Sequence, residues 1–89
     1  MDTTIFEFYP EVMRTVDRLH TVVSQQILIG DPDFDDAVLN IPHHLNAIEV
    51  GQLELKYGKD EDLKEMANKM IKDQEEEISE MQRWLKDNR

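Results

Sequence analysis

Two adjacent histidines, His43 and His44, follow Pro42 in the stretch NIPHHLNAIE, residues 40–49. Imidazole can bind a metal, shuttle a proton or hold a polar contact in a core. Neighbours on a helix point about 100° apart. Chelation from one helix face needs an i, i+3 or i, i+4 pair, so either His43 and His44 serve different partners or one is buried against a later helix while the other faces a neighbouring helix or subunit. Further along, Met70, Gln74, Glu77 and Met81 recur at steps of four, three and four, which places them in one line on a helix. An amide and a carboxylate bordering an apolar stripe need partners, because leaving them unpaired in a core costs a few kcal/mol. Counting outward from Gly58, His44 and Gln74 lie at similar distances on either side. His43 or His44 is thus the expected partner of Gln74 and Glu77. Near the start, Met13, Asp17 and His20 form a third line. If the helix that carries them packs over the same layer, three histidines, a carboxylate and a thioether converge. Imidazole with thioether sulfur favours copper over magnesium or calcium. The same layer without metal is a hydrogen-bonded polar core that fixes helix register.

Other chemistries find little support. The acidic stretch DPDFDDAVLNIP matches an EF-hand loop at Asp31, Asp33 and Asp35. It has Asp36 where that loop needs glycine and Pro42 where it needs glutamate. There is no cysteine, no Gly-rich phosphate loop, no His-Glu-x-x-His helix and no serine with an evident base. Only Asp17-Arg18-Leu19-His20 approaches the Glu-x-x-His unit of di-iron carboxylate proteins, and it occurs once. The reading is that the protein is not an enzyme.

The elements that position these residues are helical. Pro10 suits a first helical position, and Val12, Val16, Leu19, Val23 and Ile27 recur at steps of three and four until Gly30. Asp31 then reads as an N-cap with Pro32 at N1, opening a second helix. That helix runs to Tyr57, with a kink expected at Pro42 and a left-handed C-cap at Gly58. A third helix starts at Asp60, with Leu63, Ala67, Met70, Ile71, Gln74, Ile78, Met81 and Leu85 along one stripe. The expected fold is all-α: a long antiparallel helix hairpin with a shorter N-terminal helix packed across it, in one domain over residues 1–89. Three helices leave a side open, and a homodimer is the expected way to close it.

Bulk composition limits the partners. Twenty acidic residues against ten basic give a formal net charge of −10, which repels a phosphate backbone and argues against nucleic acid. No apolar run reaches the roughly 18 residues of a membrane span. The N-terminal MDTTIFEFYP has neither the basic start nor the apolar stretch of a signal peptide.

The ordered set Gly30-Asp31-x-Asp33, Ile41-Pro42-His43-His44, Ala47-Ile48, Gln74, Glu77-Ile78, Met81 and Trp84-Leu85 resembles the family catalogued as domain of unknown function 305, over about residues 19–86. The resemblance implies a ferritin-like helical bundle, often exported or membrane-anchored, associated with copper binding or resistance. It implies a metal site at His43, His44, His20 and Met81, beside which the residue pattern sets Glu77. Where family members commonly carry further methionines, this chain has Leu19, Val23, Asn40 and Val50. Those exchanges keep apolar volume at most of these places and discard sulfur, which weakens Cu(I) and leaves Cu(II), or zinc as second choice, to imidazole and carboxylate.

Overall fold

The computed structural model describes residues 3–88, which form three helices: α1 (Thr4–Ser24), α2 (Pro32–Tyr57) and α3 (Glu61–Asp87). There is no strand among the described residues. No helix among them is long and apolar enough to cross a membrane.

Helix α1 departs at both ends from the expected bounds. It begins six residues before Pro10, which lies inside it. Pro10 cannot donate a backbone hydrogen bond and crowds the preceding turn. The extra turn is nonetheless anchored, because Phe8 packs edge-on against Tyr57 of α2, with ring centroids 5.8 Å apart. Tertiary contact overrides the local signal. At its other end α1 stops at Ser24, so Ile27 belongs to the connection and is exposed. The Asp35 carboxylate captures the Ile29 and Gly30 amides, each at 2.9 Å, and Gly30 takes a φ of 87°. Those amides are therefore bound from α2 and do not extend α1.

Helix α2 starts as its sequence indicates. The Asp31 side chain accepts from the amides of Asp33 and Phe34, and Pro32 occupies the first turn. It runs unbroken through Pro42, which is buried. Gly58 ends it in an extended conformation (φ −70°, ψ 156°) instead of the expected left-handed one. Two residues later Asp60 caps α3 by accepting from the Leu63 amide at 3.0 Å.

Helix α2 lies between the other two. It packs against α1 on one side and α3 on the other, and α1 and α3 have no Cα–Cα approach within 8 Å. The shorter helix therefore lies beside the α2–α3 pair and not across it. The result is a plate of 53 × 25 × 15 Å, little thicker than one layer of helices about 10 Å across. Along α2 and α3, Ala37 adjoins Trp84, His44 adjoins Glu77, and Gly51 adjoins Met70. Each step of seven residues up α2 is matched by seven down α3, so the helices run in opposite directions in a heptad register. Gly51 marks a close approach: a Cβ there would sit 2.8 Å from Met70 Cε and 3.0 Å from Ile71 Cγ1. A single layer has little interior. Among the described residues Ala37, Pro42, Ile48, Ala67 and Ile78 are the buried apolar side chains, and no large side chain is fully enclosed.

Candidate functional site

Three places hold the residues singled out by type and spacing. The first joins α2 to α3. The His44 Nδ1 lies 2.9 Å from the carbonyl oxygen of Asn40, one turn back. A carbonyl only accepts, so Nδ1 carries the hydrogen and donates. The other nitrogen, Nε2, stands 2.5 Å from Glu77 Oε2. A ring nitrogen and a carboxylate oxygen at that distance are in hydrogen-bond contact; a metal ion bound to both, at about 2.0 Å from each, would hold them about 3 Å apart, so the pair must open to admit one. Asn40 is itself fixed, its amide donating to the carbonyl and the carboxylate of Asp36 at 2.9 and 2.8 Å. The i, i+4 ladder Asp36–Asn40–His44 thus sets the ring that faces Glu77. His44 is half-buried and Glu77 largely exposed. Gln74, the other expected partner, is half-buried one turn away, and the contact falls to Glu77.

The second place lies between α1 and α2. His20 and His43 line one cavity of about 480 Å³ with Val16, Leu19, Val23 and Ser24. Both imidazoles are exposed at its margin. The third is at the far end of α2 and α3, where Met81 lines an open cleft with Asp33, Asp36, Ala37 and Trp84. The structure therefore pairs His44 with Glu77, sets His20 and His43 on one cavity, and puts Met81 in a cleft one helical turn along α3 from Glu77. Met13 and Asp17 lie on the exposed side of α1. Among the described residues no group of three or more His, Asp or Glu side chains is arranged to hold one metal ion.

Two ion pairs that steer the site escaped the reading of the sequence. Arg18 pairs with Glu49, and Lys56 donates to Glu11 at 3.1 Å. From Glu11 to Arg18 is seven residues forward on α1; from Lys56 to Glu49 is seven back on α2. The two bridges fix the antiparallel register that places His20 near His43. A signal was present, as opposite charges at equal heptad spacing on two helices, but it becomes legible only once α1 and α2 are known to be neighbours. Lys56 also lies 5.0 Å from the Tyr57 ring centroid. Its hydrogen bond holds the Glu11 carboxyl below its ordinary pKa against the opposing effect of desolvation, with help from Tyr57. The Lys56 ammonium is raised in return, first by Glu11 and then by Tyr57.

Comparison with known families gives one result. The model of a family described as domain of unknown function (DUF305) matches residues 13–86, which takes in all three places. No curated protein matches the chain.

Proposed function

The chain belongs to the DUF305 family, and from that premise we propose that it is a non-enzymatic metal-handling protein, for which copper is the first candidate and zinc the second. The fold is taken as a ferritin-like arrangement in which α2 and α3 form the long hairpin. The observation that carries this reading is the His44–Glu77 contact. With Nδ1 committed to the Asn40 carbonyl, Nε2 is the nitrogen that a metal would take, in exchange for its present contact with Glu77. A backbone-anchored imidazole opposite a carboxylate is a donor pair suited to Cu(II) or Zn(II).

Each place supplies two protein donors at most, His44 with Glu77 or His20 with His43. Closed four-ligand sites retain a metal as a structural part. An open pair leaves positions for water or for an incoming donor, which suits an ion carried as cargo and passed on.

A second reading is favoured by the heptad register. His44–Glu77 lies midway between the Ala37–Trp84 and Gly51–Met70 neighbours, so the same contact can serve as a polar tie that sets how α2 and α3 slide. Titration of metal-free protein with Cu(I) held by a competing chelator, then with Cu(II) and Zn(II), separates the two. Metal handling predicts saturable binding that is lost in H44Q, with folding little changed. A polar tie predicts no binding beyond that of an unrelated acidic helical protein, and H44Q then costs stability alone.

A further inference from the structure

We propose that a second copy of this chain covers the strip formed by Tyr9, Val16, His20 and Val23 on α1 with His43 and Val50 on α2. The inference goes beyond metal handling and does not depend on it.

The exposed area is the first ground. A monomeric folded protein of 10.5 kDa has an accessible surface of about 5,400 Å². This chain has 6641 Å². The excess, about 1,200 Å² per copy, exceeds the roughly 800 Å² that each partner contributes to a stable interface. The plate is one helix layer thick, and a second plate supplies the missing layer.

Position is the second ground. Helix α1 has two adjacent lines. Glu11, Thr15, Arg18 and Val22 turn toward α2, where the two ion pairs form. Beside them Tyr9, Val16 and Val23 repeat at heptad spacing and find no neighbour in α3. Tyr9 is 58% exposed, and Val50 on α2 is 38% exposed. The cavity shared by His20 and His43 puts this α1 line and the α2 line of His43 and Val50 on the same side of the plate.

Charge selects the occupant. The chain carries a net −10, so most faces of two copies repel. None of the six strip residues is acidic or basic apart from the two histidines, and the carboxylates on the α2 line of His43 and Val50, those of Asp36 and Glu54, lie at its two ends. A two-fold axis presents the same patch from both sides, and an uncharged apolar strip is compatible with itself.

The test uses the full chain in the presence of a chelator, so that metal plays no part. Sedimentation equilibrium is expected to give about twice 10.5 kDa at micromolar concentration. V16K is expected to weaken association about tenfold or more, while L45K, on the opposite side of α2, leaves it unchanged. Should V16K fail to fold, footprinting of the unaltered protein decides: diethyl pyrocarbonate modification of His20 and His43 is expected to slow as concentration rises through the association range. A monomer at all concentrations overturns the proposal. So does a dimer in which both histidines react as fast as in dilute solution, or one that L45K dissociates and V16K does not.

Discussion

His44 on α2 meets Glu77 on α3 through Nε2 and Oε2 at 2.5 Å, while its Nδ1 is held 2.9 Å from the Asn40 carbonyl. Both ring nitrogens are thus committed, one to its own helix and one across to its neighbour. The contact is only partly shielded, since Glu77 keeps half its side-chain surface in water. Truncation of Glu77 to alanine is therefore expected to cost about 1 kcal/mol or less, as for other partly exposed charged contacts. Urea unfolding monitored by circular dichroism measures it. A loss above about 3 kcal/mol would mean that the pair is far more buried than its exposure indicates.

One heptad further along α2, Gly51 sets the spacing to α3. Replacing it with alanine improves helix propensity by about 1 kcal/mol. The new Cβ, however, meets Met70 Cε at 2.8 Å and Ile71 Cγ1 at 3.0 Å. Met70 can swing away, but Ile71, branched at Cβ, has less freedom. Overpacking of this kind costs about 1–3 kcal/mol, so G51A is expected to be net destabilising by about 1 kcal/mol. Combining it with M70A should recover part of that loss, which a double-mutant cycle in thermal melts would reveal.

The link between α1 and α2 depends on two aspartates with separate tasks. Asp31 caps α2, and Asp35 holds the Ile29 and Gly30 amides. D31A is expected to cost about 1 kcal/mol, the usual value of an N-cap. D35A frees two amides of the connection, and hydrogen exchange at Ile29 and Gly30 should accelerate while exchange in α3 stays unchanged.

Stability should vary with pH through Glu11 and Lys56. The Glu11 pKa is lowered in the fold, so its contribution is complete above the ordinary carboxylate value and is lost as pH falls through the folded one. The Lys56 pKa is raised, so its contribution is complete below the ordinary lysine value and is lost as pH rises through the folded one. Between those limits the bridge adds a flat term. In E11Q both limbs attributable to this pair should vanish, which denaturant midpoints followed from acid to alkaline pH would show.

Much of the fold was legible in the residues, for reasons that differ along the chain. Asp31-Pro32 and Asp60 are local signals, and the helices start where they stand. Symmetric distance about Gly58 pointed to His43 or His44 as the partner of Gln74 and Glu77, and the contact that forms is His44 with Glu77. The bounds of α1 did not follow, because they are set by remote partners: Tyr57 holds Phe8 at one end, and Asp35 holds Ile29 and Gly30 at the other. The convergence of five donors also required α1 to cross the α2–α3 pair. Periodicity gives the face a helix buries but not the side of the neighbour on which it lies. With α1 beside α2, His20 shares a cavity with His43 and takes no part in the His44–Glu77 contact.

Metal handling is tested most directly at His44 Nε2, where a metal would replace the contact with Glu77. The measurement is a titration of metal-free, ¹⁵N-labelled protein with Zn(II), reading the imidazole nitrogens of His20, His43 and His44. The account predicts that His44 Nε2 shifts in a saturable way while Nδ1 keeps its hydrogen, held by Asn40, and that E77Q weakens the effect. Histidine nitrogens that stay unmoved while zinc perturbs only surface carboxylates would contradict it, and would leave His44–Glu77 as a tie between helices.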